Sequence, residues 1–170
     1  MKVMSAKKPH ADAPAMPRLE LQRILVAVDF SDDSKVALEY AGTLAGRLGA
    51  SLSIVHVVEP DLSIPGAESL SLHPKPSDSE RLAEAKLDLS SLGERMLGAC
   101  RVVETSVRSG IAFFEIAEAA KALSADFIVI GAHGLAGLNR MLLGSTVEKV
   151  VRHAPCPVLV VRGPNQELIL

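Results

Sequence analysis

Short apolar runs alternate with amphipathic stretches along most of the chain, and this alternation restricts the fold more than any other feature of the sequence. The runs are rich in valine and isoleucine, which is typical of strands. The stretches between them carry apolar residues at three- and four-residue spacing, which indicates helices. Strands that are separated by helices pair in parallel through right-handed crossovers. The sequence therefore predicts an α/β domain.

The first strand–helix–strand unit shows the pattern most clearly. Ile24–Val28 is continuously apolar, as expected of a strand buried on both faces. Ser31, Asp32 and Ser34 offer capping oxygens for a helix that continues to Leu48 and ends at Gly49. Leu52–Val58 then forms the second strand. The short joins make these two strands parallel neighbours.

The rest of the domain continues in the same alternation. We predict strands at 102–107, 127–130 and 158–161, and helices at about 78–98 and about 145–153. A further helix is predicted after Gly110, with an inner face that carries residues from Phe113 to Leu123. Val103, Thr105 and Val107 alternate with polar residues, which predicts that this strand lies at an edge of the sheet. The fold class is a doubly wound, five-stranded parallel sheet in the order 3-2-1-4-5, with helices on both faces. Strands one and four are then adjacent at the reversal of the chain path, where such sheets bind ligands, so Asp29 and the segment from Gly131 are candidate site residues.

Segments outside this pattern set the domain boundaries. We expect a disordered arm over residues 1–20, one domain over 21–163 and a short tail over 164–170. Residues 59–77 are rich in proline and serine and are longer than most connections, so this loop is either functional or poorly ordered.

Composition and charge exclude several classes of protein. The 18 Lys and Arg residues nearly balance the 20 Asp and Glu residues, which argues against a nucleic-acid partner. No window approaches the roughly 20 apolar residues that a membrane span requires. Cys100 and Cys156 lie far apart without metal-ligand spacing and are interpreted as free thiols. We therefore expect a cytoplasmic protein with neither a nucleic-acid nor a membrane partner.

A glycine-rich segment follows strand four and carries the clearest sign of a binding site. Gly131 and Gly134 leave the backbone amides open to close approach by a ligand. Gly144 and Ser145 lie at the start of the last helix, where free amides and the helix dipole attract an anion. However, Ser145 and Glu148 also match a capping box, and the first two glycines could form a plain turn. Spacing alone leaves both interpretations open.

The arrangement Gly131-x-x-Gly134, nine residues, then Gly144-Ser145 resembles the motif of the ATP-binding universal stress proteins. The surroundings are similar as well, at Ile24–Ser31, Ile54–Val57 and Ala154–Val161, so the resemblance covers about residues 23–162. It implies a homodimeric, cytoplasmic ATP-binding protein that takes Mg²⁺ or Mn²⁺ with the nucleotide. The nucleotide-binding residues that the resemblance implies are Ala27, Val28 and Asp29 at the adenosine end, Val57 on the adenine ring, Ile130, Gly131, Ala132, His133 and Gly134 around the ribose and phosphates, and Gly144, Ser145 and Thr146 on the phosphates.

Several of these side chains also have simpler interpretations. Asp29 contacts the ligand or only caps the next helix, and the predicted crevice favours the first. His133 has no evident carboxylate partner in the sequence, so we interpret it as backbone lining rather than a general base. Arg140 contacts phosphate or is a solvated loop residue. His56 is interpreted as a satisfied core or rim histidine rather than a metal ligand.

The last strand raises the question of assembly. An entirely apolar edge strand at 158–161 needs cover, which the same strand of a second copy or the tail at 167–170 could supply. We favour a homodimer through 158–161. Because the glycine segment contains no P-loop lysine, we expect a nucleotide-dependent stress or regulatory protein with at most slow hydrolysis or autophosphorylation. The alternative is a dimeric adaptor of the same fold that binds no nucleotide.

Overall fold

Strands and helices alternate without exception over the part of the chain that the computed structural model describes, namely residues 21–60, 76–96, 98, 100–134 and 144–163. The strands are β1 (Arg23–Ala27), β2 (Ser51–Val58), β3 (Arg101–Ser109), β4 (Phe127–Gly131) and β5 (Val158–Val161). The helices are α1 (Asp32–Leu48), α2 (Asp78–Met96), α3 (Ala112–Ala122) and α4 (Ser145–His153). The predicted arm at 1–20, the tail at 164–170, Arg140 and most of the 59–77 loop lie outside the described residues.

The strands form one parallel sheet in the order β3-β2-β1-β4-β5, which confirms the predicted topology. β1 pairs with β2 on one side and with β4 on the other, so the chain path reverses between β1 and β4. β3 and β5 are the two edge strands, as predicted. The reversal leaves a crevice at the carboxyl ends of the central strands, because the following segments leave in opposite directions.

The element boundaries differ from the prediction by one or two residues. β1 ends at Ala27 rather than Val28, although the Val28 amide still donates to the Val55 carbonyl at 2.9 Å. β3 is longer than predicted, because it pairs along the whole of β2. α2 begins at a reciprocal cap in which the Ser77 amide donates to Glu80 Oε2 at 2.7 Å and the Glu80 amide donates to Ser77 Oγ. The hydrogen bond from the Ser77 amide lowers the pKa of the Glu80 carboxyl.

Two apolar layers enclose the sheet, one on each face. α1 and α2 cover one face, and the buried side chains between them and the sheet include Ile24, Val26, Leu38, Ile54, Leu89 and Val129. α3 and α4 cover the other face, where the buried side chains include Leu25, Val55, Ile116, Ile128, Val147 and Val150. Burial of the central strands on both faces explains why their sequences are apolar without alternation. The prediction of helices on both faces is confirmed.

The turn from β1 into α1 is tightly specified. Ser31 is the N-cap of α1, and its Oγ accepts a hydrogen bond from the Ser34 amide at 3.2 Å. Phe30, just before the cap, has a φ of 64°, a backbone conformation that is uncommon for a bulky residue. The helix ends at Gly49, whose φ of 67° gives the left-handed cap that the sequence predicts.

The first turn of α1 lies directly against the end of β4. A Cβ atom added to Gly131 would lie 2.8 Å from both the Asp33 carbonyl carbon and the Ser34 amide nitrogen. These are backbone atoms of a capped helix, so they have little freedom to move. Only a glycine at this position allows β4 and α1 to approach so closely.

We therefore expect Gly131→Ala to lower the free energy of unfolding by about 1–3 kcal/mol, because the added methyl group forces the start of α1 away from β4. Gly98→Ala is a matched control, since a Cβ at Gly98 meets nothing within 4 Å. Urea denaturation of both variants measures the difference. Equal stability of the two variants would contradict the close contact.

Candidate functional site

A cavity of about 350 Å³ lies at the carboxyl ends of β2, β1 and β4, between the first turns of α3 and α4. Its volume falls within the usual range of small-molecule sites, about 300–1,000 Å³. Most of the residues that the sequence singles out line it: Ala27, Val28, Asp29, Val57, Ile130, Gly131, His133, Gly134, Gly144, Ser145 and Thr146. The fold therefore brings these separate segments together at the reversal point.

The cavity has an apolar end and a polar end. Val55 and Val57 of β2 face Ala112 and Ile116 of α3 at the apolar end. The polar end lies beyond β1, where the turn after β4 meets Gly144 and the start of α4. The two ends are separated by two strand spacings, from β2 across β1 to β4. Because neighbouring strands are about 4.8 Å apart, this distance is about 10 Å.

The start of α4 presents to the polar end backbone amides that have no partner within the helix. Gly144 is the N-cap, and no side chain caps this helix within the described residues. The capping-box interpretation of Ser145 and Glu148 is wrong, since Ser145 is already inside the helix and Glu148 accepts a hydrogen bond from Arg152 at 2.7 Å. The first amides of a helix have no partner within it. The position of Ser145 and Thr146 at the cavity makes their amides and hydroxyls available to an anion.

Asp29 supports the turn into α1 and lines the cavity as well. Its Oδ1 accepts hydrogen bonds from the Ser31 amide at 3.1 Å and from Ser31 Oγ at 2.5 Å. The other oxygen lies beside Gly134, where an added Cβ would come within 2.5 Å of Asp29 Oδ2. Because Gly134 has no side chain, the Asp29 carboxylate has space at the cavity wall. Asp29 is therefore not the cap of α1, which is Ser31, but it holds that cap residue in place while it lines the cavity, and its contact with a ligand stays a prediction.

His133 has a carboxylate partner that the sequence does not reveal. Its Nδ1 lies 3.0 Å from Oδ2 of Asp33, and the side chains are 9% and 16% exposed. The pair joins the turn after β4 to the first turn of α1, across 100 residues of sequence. The expectation that His133 lacks a carboxylate partner is therefore wrong. The interaction attaches the glycine turn to α1 at a second point, beside the Gly131 contact.

Ala132 lies outside the cavity lining, although the resemblance predicts it at the nucleotide site. It is fully buried and is not among the residues that line the cavity. Its amide donates to the Val161 carbonyl at 2.7 Å, and its carbonyl accepts from the Gly144 amide at 3.0 Å. The backbone of Ala132 thus fastens β5 and the start of α4 to the end of β4, and its predicted contact with the ribose and phosphates stays a prediction.

The cavity also includes residues that the sequence did not single out: Ser34, Val55, Glu59, Ala112, Ile116 and Val147. Glu59 directly follows β2, so the rule that strand ends form the site could have identified it. The remaining helix residues are Ala112, Ile116 and Val147, and their position at the cavity depends on how those helices pack on the sheet. His56 lies on the opposite face, where its Nδ1 is 2.8 Å from the Val28 carbonyl, as expected of a satisfied rim histidine.

Among the described residues, no group of three or more His, Cys, Asp or Glu side chains is arranged to hold a metal ion. Cys100 and Cys156 are free, half-buried thiols, as predicted, and burial raises the pKa of each. No helix among the described residues is long and apolar enough to cross a membrane.

Comparison with known proteins agrees with this fold. Residues 20–162 match the model of the Universal stress protein family. A relative from Methanocaldococcus jannaschii, Universal stress protein MJ0531, is 33% identical over 151 residues, which cover 86% of this chain and 85% of that protein. The solved structure of universal stress protein UspA from Lactobacillus plantarum superposes with a TM-score of 0.69 at 32% identity, covering 84% of this chain and 99% of the other.

Two similar structures are described as nucleotide complexes. One is a universal stress protein in complex with cAMP, with a TM-score of 0.63 at 26% identity and coverage of 84% of this chain and 97% of the other. The second is the universal stress protein from Archaeoglobus fulgidus in complex with dAMP, with a TM-score of 0.58 at 26% identity and coverage of 84% and 98%. Both ligands are adenine nucleotides.

The buried contact between Asp33 and His133 predicts a measurable loss on truncation. We expect Asp33→Ala to lower the free energy of unfolding by about 1–3 kcal/mol, because it leaves a buried histidine without its carboxylate partner. Asp33→Asn keeps an acceptor and is expected to cost less. Asp32→Ala is the control, since the Asp32 side chain is 98% exposed and pairs with Lys35 at the surface. Chemical denaturation measures the free energy of unfolding of each variant. An equal loss in Asp32→Ala and Asp33→Ala would contradict the buried contact.

Proposed function

Because the chain belongs to the universal stress protein family, we propose that it binds ATP, together with Mg²⁺ or Mn²⁺, in the cavity at the ends of β1 and β4. In this proposal it acts as a nucleotide-dependent regulatory protein in the stress response. Turnover of the nucleotide, by hydrolysis or autophosphorylation, is slow at most. The proposal rests first on the shape and polarity of the cavity and second on the ligands of similar proteins.

The single observation that carries the proposal is the pairing of two backbone surfaces at the polar end. The turn at Gly131 and Gly134 lies on one side, and the open first turn of α4 at Gly144 and Ser145 lies on the other. Amides at a helix start bind phosphate oxygens without needing a charged side chain. The apolar end, with Val57 and Ile116, offers a surface on which a purine ring can pack.

The ligands of similar proteins favour an adenine nucleotide. The cAMP and dAMP complexes share a base and at least one phosphate group with ATP. These proteins resemble the present chain over more than four fifths of its length. Both ends of the cavity described here, one apolar and one rich in amides, suit that shared chemistry.

A divalent cation fits the charges around the cavity. Asp29 and Glu59 are acidic, and no lysine or arginine belongs to the lining within the described residues. A triphosphate beside the Asp29 carboxylate requires a compensating positive charge, which Mg²⁺ or Mn²⁺ would supply when bound. Magnesium is commonly held by one or two carboxylates, several waters and the phosphates themselves, so it needs no larger protein cluster. Asp29, next to Gly134, is the residue best placed to take part.

The same charges argue for binding rather than rapid catalysis. Fast phosphoryl transfer needs a positioned cationic clamp on the transferred group. The described lining contains glycine amides and the hydroxyls of Ser145 and Thr146, but neither lysine nor arginine. The His133 ring is also engaged by Asp33. A protein that binds ATP and turns it over slowly at most is the function that these groups support.

A homodimer through β5 belongs to the proposal as well. β5 is an edge strand with three half-buried residues, Val158, Leu159 and Val160, followed by the buried Val161. Such an edge is normally covered. Pairing with the same strand of a second copy, across a two-fold axis, covers both edges at once. The two free thiols are consistent with a reducing, cytoplasmic setting for this dimer.

Nucleotide binding is tested directly on the purified protein. We expect an adenine nucleotide to be released on denaturation and identified by mass. At a free ATP–Mg²⁺ concentration of 100 times Kd, the expected stabilisation of about 2.7 kcal/mol raises the melting temperature by about 5–10 °C. A protein that carries no nucleotide and shows no shift with ATP–Mg²⁺ would support the adaptor function instead.

The variant Gly134→Val is expected to remove this shift while the protein stays folded, because the new side chain occupies the space between the glycine turn and Asp29. Gly98→Val provides the matched control, since a Cβ at Gly98 meets nothing within 4 Å and Gly98 does not line the cavity. Isothermal titration with ATP–Mg²⁺ measures both affinities. Unchanged affinity in Gly134→Val would place the nucleotide elsewhere.

Val160→Lys is expected to convert the dimer into monomers, because a charged side chain in the centre of β5 opposes its own copy across the two-fold axis. Leu87→Lys is the control, since Leu87 is 73% exposed on α2, the helix that packs over β3 at the opposite edge. Multi-angle light scattering gives the mass of each variant. A wild-type monomer, or a Val160→Lys dimer, would show that β5 is not the interface.

A further inference from the structure

We propose that Glu59 selects the base of the bound nucleotide by accepting a hydrogen bond from the 6-amino group of adenine. The inference rests on the proposed function, since it concerns the same cavity. It adds a residue that neither the sequence motif nor the glycine turn identifies. Its grounds are the place of Glu59 in the sheet, the contact that orients its carboxylate and the apolar surface beside it.

The place of Glu59 follows from the order of the strands. Glu59 lies just past the end of β2, whereas the glycine turn follows β4, and β1 lies between them. Two strand spacings separate these positions by about 10 Å. If the phosphates bind at the start of α4, the base extends towards β2. Glu59 then lies at the base end of the cavity, while Asp29, at the end of β1, lies nearer the sugar.

One contact orients the Glu59 carboxylate. Its Oε1 accepts a hydrogen bond from the Ala112 amide at 3.0 Å. The N-cap residue of α3, Ile111, supplies no side-chain cap, so Glu59 performs that role from another element. With one oxygen held at the helix start, the direction of the second oxygen is restricted. Glu59 is exposed and lines the cavity, so its second oxygen offers a hydrogen-bond acceptor at the cavity wall.

The surface beside this acceptor suits a purine ring. Val57, Ala112 and Ile116 line the same end of the cavity with apolar atoms. A ring that covers this surface removes water from the edge of the carboxylate, which then needs a donor from the ligand. An ionised carboxylate only accepts hydrogen bonds. Adenine carries its donor on the exocyclic 6-amino group, so a base with this group meets the requirement.

The test compares ATP with purine riboside 5′-triphosphate, which has hydrogen in place of the 6-amino group and otherwise equals ATP. The wild-type protein is expected to bind ATP about tenfold more tightly than this probe, the size of one charge-assisted hydrogen bond. In Glu59→Gln the amide carbonyl keeps the cap on Ala112, and the amide NH₂ takes the place of the second oxygen. A donor then faces the donor of adenine, so the preference is expected to fall to about one.

Glu118→Gln is the matched control, with the same chemical change on α3 at a residue that pairs with Lys121 outside the cavity. It is expected to keep the full preference for ATP. The melting temperature of each protein without nucleotide separates loss of the α3 cap from loss of base recognition. Titration calorimetry in the presence of Mg²⁺ measures all six affinities.

The outcomes separate this inference from the function on which it rests. ATP binding without a preference over purine riboside triphosphate in the wild type overturns the role of Glu59 and leaves nucleotide binding intact, whatever the variants do. If Glu59→Gln keeps a preference for ATP that lies within twofold of the wild-type value, the role of Glu59 is overturned as well. Failure of the wild type to bind either triphosphate overturns the proposed function itself. Only a preference that Glu59→Gln abolishes and Glu118→Gln retains supports the inference.

Discussion

The contact between the turn after β4 and the first turn of α1 holds the whole site together. At Gly131 the two backbones approach so closely that a single methyl group would overlap Asp33 and Ser34. The hydrogen bond between His133 and Asp33 fastens the same junction from the side. The Ala132 backbone then ties the turn to Val161 of β5 and to Gly144 at the start of α4. The described part of the cavity wall is therefore formed by backbone whose position depends on packing.

This arrangement explains how an acidic cavity can suit an anionic ligand. The described lining carries Asp29 and Glu59, whereas its positive potential comes from amide dipoles at the start of α4. Amides and carboxylates recognise different parts of a ligand. The amides suit phosphate oxygens, and the carboxylates suit a metal ion, hydroxyl groups or an amino group. A nucleotide with a divalent cation presents all of these, which is why the charges and the shape favour the same class of ligand.

The dual use of single residues is a second feature of the site. Asp29 accepts two hydrogen bonds from Ser31 while it faces the cavity beside Gly134. Glu59 caps α3 through the Ala112 amide while it lines the other end. In both cases a structural hydrogen bond restricts the carboxylate before any ligand arrives. Such preorganisation reduces the entropy lost on binding.

The sequence by itself determined the alternation of elements, the strand order and the edge positions of β3 and β5, because apolar periodicity is a local property. The strand ends indicated Asp29 and the segment from Gly131, whereas the resemblance to the universal stress proteins supplied most of the other residues that line the cavity. The sequence did not reveal the partner of His133, which lies 100 residues away, or the burial of Ala132. The capping box at Ser145 fitted the local pattern, yet the helix starts one residue earlier than that pattern requires. The contributions of Ala112, Ile116 and Val147 were decided only when α3 and α4 packed over the sheet. Contacts of this kind depend on the relative placement of distant segments, and no local pattern of residues encodes that placement.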